Sequence, residues 1–446
     1  MSPRDNRRSQ GRRTLAAGPP SAGRTTVLGL MVVALTAAVL TLAGTTPHGI
    51  GARVQTFKRV ELEQRSFTCA GGIPGAVADH GTVASGLADP VTIGAEPQRF
   101  DVDHSEALEA FAGQEARAKD WLAWAPCPEP RARWWFVGAG AATVTHDTVL
   151  AVTNPRIGQA DIDIDVHGPN GPVTSPGLHG ITVPAGTTRL VDLAKVAPAV
   201  GDLAVNVVAT RGLVAISAAD RFAPGFVGKA VQEWLPGQSL PATAVTMAGF
   251  PARPDKATLI VVNPRRVQAI VSVEVVGAGG TFVPKDNPTL TVPPGSVATM
   301  SLASVFDGGP VAIRVTSAQP VTAAVRTVTG GDVAFATGAA PVQGTTALAV
   351  PAGAGQLVLS STGRRTSVTV GAFSATGKQL LDQAVAVAKA SSVATPLPDG
   401  TRYLRLVATS PDAVAGFAVS DPAGVATAGV VPSIRSVLLP VVRPGW

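Results

Sequence analysis

The sequence predicts a mainly β protein: tandem immunoglobulin-like β-sandwich repeats that follow a single N-terminal transmembrane helix. Three observations carry that expectation. Leu150-Ala151-Val152-Thr153-Asn154-Pro155-Arg156 returns 109 residues later as Leu259-Ile260-Val261-Val262-Asn263-Pro264-Arg265, and Ile181-Thr182-Val183-Pro184-Ala185-Gly186 returns in the same register as Leu290-Thr291-Val292-Pro293-Pro294-Gly295. A unit of about 100 residues is large enough to bury its own core, which indicates tandem domains and not a solenoid of short repeats. Within each unit, short Val-rich runs alternate with Gly, Pro and Asn turn signals. Ahead of them stands one long apolar run without charge.

Residues 1–24 form a basic tail in which Arg4, Arg7, Arg8, Arg12, Arg13 and Arg24 face Asp5 alone, a net +5. The whole chain carries +6, so only +1 remains after Arg24. The excess charge marks the tail and not a basic face, and nucleic acid is set aside as a partner. Residues 25–45 are the expected transmembrane anchor. The run from Val27 to Gly44 is uncharged and spans about 27 Å as a helix, enough to cross a hydrocarbon core. The arginines hold the N-terminus in the cytoplasm, which places the C-terminal region outside it, at the cell membrane. A cleaved signal peptide is the rival, although Leu42-Ala43-Gly44-Thr45 is a poor cleavage site.

Residues 46–133 are the least repetitive region and hold both cysteines, Cys69 and Cys127. An even count outside the cytoplasm, without Cys-x-x-Cys or metal-ligand spacing, predicts a structural disulfide. From Ser105 through Leu108, Phe111, Ala118, Trp121 and Leu122 the spacing predicts one N-capped amphipathic helix, stopped by Pro126 and Pro128. Trp121, Trp124, Trp134 and Trp135 are four of the six tryptophans. Beside a disulfide, such a cluster reads as core sooner than as a sugar-stacking platform.

Three repeats follow, at 134–244, 245–345 and 346–446. In the first, Asp161-Ile162-Asp163-Ile164-Asp165-Val166 alternates with a period of two and Gly168-Pro169-Asn170-Gly171 turns the chain; residues 270–276 and 277–280 do the same in the second. A Val-Pro-x-Gly segment and further Val-rich runs bring each unit to about six to eight strands without convincing helices, which indicates two packed sheets. The third copy, from Leu357 onward, is more divergent. Segments around Phe136, Met247, Val350 and Val441 are expected to seal the junctions, which predicts a stiff rod.

Cys127-Pro128, Trp134-Trp135-Phe136-Val137-Gly138, Leu150-x-x-x-Asn154-Pro155 and Val183-Pro184-x-Gly186 together resemble an uncharacterised actinobacterial family of membrane-anchored or secreted β-rich proteins, a domain of unknown function. The resemblance runs from about Cys69 to the C-terminus. It implies an envelope location and a link to cell-envelope glycosyltransferases, and it brings no catalytic residues.

The sequence contains no Gly-x-Ser-x-Gly elbow, no His-Glu-x-x-His, no phosphate-binding Gly-Lys-Ser/Thr loop and no Gly-x-Gly-x-x-Gly after a strand. Asp161, Asp163 and Asp165 share a strand face at about 6.5–7 Å spacing, where hard oxygen ligands, helped by Asn170, would collect calcium. The competing reading is a solvated outer face, supported by Ile270, Ser272 and Glu274 at the matching positions. These aspartates, with Trp134 and Trp135, are the candidate ligand-binding residues; no metal, cofactor or catalytic residue is expected. Gly-rich turns around His167 and His179 indicate exposed loop histidines, and Asn154-Pro155 and Asn263-Pro264 are read as turn starts. The expected function is a non-catalytic, single-pass cell-envelope scaffold or binding protein, with an extracytoplasmic rod that assists polysaccharide assembly and partners of envelope protein or polysaccharide. The alternative is a carbohydrate-active enzyme or carbohydrate-binding protein with its site between Cys69 and Trp135. A glycosidase would present two carboxylates about 5–9.5 Å apart across a cleft, a lectin an exposed aromatic shelf.

Overall fold

The computed structural model describes residues 57–61, 64–94, 96–103, 109–142, 144–223, 229–238, 240–285, 289–431 and 436–440. The tail of 1–24 and the anchor expected from Val27 to Gly44 lie outside them. Among the described residues no helix is long and apolar enough to cross a membrane. They are mainly β: helix is limited to the turn α1 (Leu193–Val196) and two 3-10 turns, Pro176–Leu178 and Ala303–Val305. A short strand, β1 (Phe57–Glu61), pairs with the last strand, Ser436–Pro440.

The rest divides into four quarters. The first holds β2 (Gln64–Cys69), β3 (Val77–Thr82), β4 (Gly86–Leu87), β5 (Val91–Thr92), β6 (Gln98–Asp103), β7 (Ala110–Arg117) and β8 (Leu122–Pro126). Here β2 pairs with β6, while β4-β3-β7-β8 form the larger sheet. The second holds β9 (Arg133–Ala142), β10 (His146–Thr153), β11 (Ala160–Gly168), β12 (Gly171–Val173), β13 (Ile181–Val183), β14 (Thr188–Asp192), β15 (Ala199–Arg211), β16 (Ala215–Phe222) and β17 (Val231–Leu235). Its pairings run β12-β11-β15-β9 and β14-β10-β16-β17. The third holds β18 (Ala242–Ala248), β19 (Lys256–Val262), β20 (Ala269–Gly277), β21 (Gly280–Phe282), β22 (Thr289–Val292), β23 (Val297–Ser301), β24 (Ala312–Thr329) and β25 (Asp332–Thr337), paired β21-β20-β24-β18 and β23-β19-β24-β25. The fourth holds β26 (Gly344–Ala349), β27 (Ala354–Ser361), β28 (Thr366–Phe373), β29 (Gln379–Val387), β30 (Ser391–Leu397), β31 (Tyr403–Ala408), β32 (Ala413–Ser420) and β33 (Val425–Gly429), in two sheets, β29-β28-β31-β26 and β30-β27-β32-β33.

The last three quarters thus share one antiparallel plan. Counted without the short β13 and β22, and with the two halves of β24 taken separately, the first strand joins the sixth, and the seventh lies between the second and the last. In the immunoglobulin order the sixth and seventh strands are neighbours in one sheet. Here they do not pair, because the chain crosses from one set of paired strands to the other between them; the long β24 makes that passage as a single strand, pairing with β20 in one half and β19 in the other. Side chains alternate as a half-buried strand requires: Ile162, Ile164 and Val166 of β11 point into the core and its aspartates point out.

Two expectations are corrected. The helix expected from Ser105 is not formed over its described part, which is β7 and β8. Both faces of this sheet are covered: Phe111, Leu122 and Trp124 pack with Tyr403 and Phe417, while Ala110, Ala112 and Ala116 pack around Cys69, Cys127 and Trp234. A strand buried on both sides loses the polar alternation that identifies it, and its apolar residues then fit a helical spacing by default. Nor do the quarters form a row in which each meets only its chain neighbours. Their final strands touch in a closed cycle, β8 to β17, β17 to β25, β25 to β33 and β33 to β8. Hairpins make the outer contacts. His167 Nδ1 meets the Gly295 carbonyl at 2.9 Å, Ser392 Oγ donates to the Val276 carbonyl at 2.6 Å, and the Leu87 amide donates to the Ala375 carbonyl at 2.9 Å.

Candidate functional site

The centre of that cycle is the most chemically loaded place among the described residues. Each of the four final strands pairs on one side only, β8 with β7, β17 with β16, β25 with β24 and β33 with β32. Each therefore carries a buried edge whose backbone N–H groups need acceptors. Two carboxylates supply them. Glu233 Oε1 accepts from the amides of Trp124, at 3.0 Å, and Trp234, at 2.8 Å. Asp332 Oδ2 accepts from Leu122, at 3.1 Å, and Val425, at 2.8 Å, and its Oδ1 from Val333 at 2.8 Å. Leu122 and Trp124 are two residues apart on one strand, so their N–H groups face the same way and meet the two acids side by side.

Both side chains are 1% exposed. Burial raises the Asp332 pKa to about 7 although three amide donors favour its charged form. Burial, with the nearby charge of Asp332, pushes Glu233 well above the usual carboxylate range, and its Oε2 is buried without a hydrogen-bond partner. Arg117 is shared between Glu115 and Asp421. A second polar cluster lies in the 133–235 quarter. Asp220 accepts from Thr148 at 2.5 Å and meets His146 at 3.1 Å, while Asp202 is held by Arg326. Burial opposes protonation of His146, but Asp220 and Asp202 outweigh it and its pKa is raised.

The structure separates the residues singled out from the sequence. Cys69 and Cys127 form a disulfide with Cα atoms 4.7 Å apart. Trp134 and Trp135 are 2% and 4% exposed and point into different cores, so neither is part of a shelf. Trp134 Nε1 donates to the Val214 carbonyl at 3.0 Å, and Trp135 stacks on His167. That contact corrects the loop assignment of His167, which is buried at the end of β11; His179 does lie in a loop. Asp161, Asp163 and Asp165 stay on the outer face of β11 with separate partners: Thr182 and Gln159, the Gly180 amide, and Asn206. Among the described residues no group of three or more His, Cys, Asp or Glu is placed to hold a metal.

The Asn-Pro turns have a structural task. Asn154 Nδ2 donates to the carbonyls of Gly158, at 2.6 Å, and Val183, at 3.0 Å, while its Oδ1 accepts from the Arg156 amide at 3.1 Å. Asn263 makes the same set with Val267, Val292 and Arg265. Both are fully buried, and each ties its turn to the Val-Pro-x-Gly segment.

Sequence reasoning missed Glu233 and Asp332. The available signal was a lone acid in each of two apolar runs, Val231-Gln232-Glu233-Trp234-Leu235 and Asp332-Val333-Ala334-Phe335. A cavity of about 120 Å³ is lined in part by β8, β17 and β33, and its walls include Trp124, Trp134 and Trp234. A family model described as a family of unknown function, DUF5719, matches residues 105–398, from just before β7 to the end of β30. Comparison with curated proteins and with solved structures gives no match.

Proposed function

The chain belongs to DUF5719, a family of unknown function, and we propose from its own residues that it is a non-catalytic, single-pass scaffold or binding protein of the cell envelope. In this reading the run from Val27 to Gly44 is the tether and the N-terminus is cytoplasmic. The β modules, immunoglobulin-like in the broad sense with first and seventh strands exchanged, stand outside and present a stiff surface to envelope proteins or polysaccharide. The observation that carries it is how the buried acids are used. A catalytic carboxylate with a raised pKa keeps an oxygen facing substrate; Glu233 Oε1 and both oxygens of Asp332 instead accept from backbone amides of the four strand edges, and Glu233 Oε2 is buried. The disulfide supports an oxidising, extracytoplasmic setting.

The carbohydrate reading keeps one supporting observation, a cavity lined in part by residues between Cys69 and Trp135, among them Phe111, Trp124 and Trp134. Its tryptophans are almost fully buried, however, and a platform for sugar rings would have to expose them. Protease added to intact spheroplasts tests the proposal: digestion of the C-terminal region, with crosslinks in living cells leading to a defined envelope partner, is the expected result. A protected C-terminal region, or turnover of an envelope polysaccharide by purified protein, would overturn it.

A further inference from the structure

The cavity lined in part by β8, β17 and β33 has the makings of a small binding site, and its chemistry can be read whether or not the chain is a scaffold. Its volume of about 120 Å³ lies below the roughly 300–1,000 Å³ of ordinary small-molecule pockets. It is close to the roughly 150 Å³ apolar cavity that accepts a benzene ring. A ligand of only a few heavy atoms fits. Trp124, Trp134 and Trp234, each almost fully buried, supply apolar walls.

The charged residues of the lining are Arg65, Glu129 and Arg131, one cation in excess. Glu129 is held by Arg65. Gln114 and Ser217 are bonded to each other at 3.0 Å. Arg131 lies with its guanidinium carbon 4.9 Å from the Trp134 ring centre, and its Nε is buried with no hydrogen-bond partner. Burial also lowers the Arg131 pKa, which Glu129 partly offsets. A buried cationic N–H without an acceptor is costly. A carboxylate presents two acceptors to the guanidinium fork and one negative charge to the single excess positive one. A dianion would leave a charge uncompensated.

We propose that this cavity binds a short-chain carboxylate, with the carboxylate on Arg131 and the apolar body against the three tryptophans. The ligand is a monoanion small enough for the chamber, not a sugar. The test uses the oxidised full chain, propionate as probe and propionamide as its uncharged isostere. Titration calorimetry and tryptophan emission should give saturable one-to-one binding of propionate with none of propionamide. Arg131→Lys keeps the charge but removes the fork and should weaken binding at least about tenfold. Ala347→Leu narrows the chamber without touching the charge of Arg131 and should abolish binding. Equal responses to acid and amide, no response to propionate on the order of 10 mM, or unchanged affinity in folded Arg131→Lys would each overturn the proposal. The acid-against-amide comparison on the wild-type protein stands even if a variant fails to fold.

Discussion

Asp332 makes this protein less stable as the pH rises, opposite to the usual behaviour of a carboxylate. An acid with a pKa of about 7 in the folded state and about 3.9 unfolded binds its proton more tightly when folded. Its contribution is therefore fully present below the unfolded value and is lost as pH climbs through the folded one. Between pH 5 and pH 8 the two binding curves separate by nearly two units, a loss of about 2.5 kcal/mol from this group alone. Glu233, also raised, and His146, raised by its acids, add the same sign. The clean measurement is a comparison with Asp332→Asn. That variant cannot accept with both positions and should cost about 1–3 kcal/mol at pH 5, but it has nothing to titrate. Urea unfolding followed by tryptophan fluorescence at pH 5, 6, 7 and 8 should give two lines that converge or cross, and Glu233, whose pKa the charge of Asp332 helps to raise, adds to the convergence. A wild-type stability that stays level or rises over this range, with a constant gap to the variant, would refute the reasoning.

Replacing Cys69 and Cys127 together with Ser should cost about 4 kcal/mol in urea unfolding, from a loop closed over 58 residues; intact mass of exported protein should show no free thiol. Asn154→Ala and Asn263→Ala should each cost about 2–4 kcal/mol and by similar amounts, because each abandons the same buried carbonyls. Gly424→Ala would set a Cβ 1.9 Å from Asp332 Oδ2 and 2.7 Å from the Leu122 amide nitrogen, so it should open the clasp, with a loss of at least about 3 kcal/mol and a flattened pH profile. Glu233→Gln retains an acceptor for both tryptophan amides and should change stability by under about 1 kcal/mol at pH 5, whereas Glu233→Ala should cost about 3 kcal/mol in the same urea titration.

The mainly β plan was legible because its signals are local. Alternation in Asp161 to Val166 places one face inward without reference to anything distant. The disulfide was legible from cysteine count and spacing alone. The task of Asn154 was half legible: Val183 lies 29 residues away, beyond any local pattern, but the two motifs return together at Asn263 and Val292 with the same separation. Two motifs that keep a fixed offset through a duplication are motifs in contact. The β7 and β8 segment was misread because a strand packed on both faces carries no period of two. Glu233 and Asp332 were passed over because their partners are 109 and 210 residues distant, and a lone acid in a strand says that it is paired without saying to what.

The first quarter was the hardest to place and yet belongs to the same scheme. Trp124-Ala125-Pro126 in β8 is matched by Trp234-Leu235-Pro236 at the end of β17, and Phe335 stands in the corresponding part of β25. Both tryptophan amides donate to one oxygen, Glu233 Oε1. A single acceptor shared by two matching residues is what a cycle needs where its first and second members meet. Sheet edges that meet face to face cannot all pair with one another, because each strand is already tilted by its own sheet's twist. Side-chain carboxylates have the reach to satisfy the N–H groups that the twist leaves over. The cost is a pair of acids held in a dry interior, and it appears in their raised pKa values. The repeated strands thus predict the shape of each quarter, while the closure of the four rests on two residues that repeat nowhere in the chain.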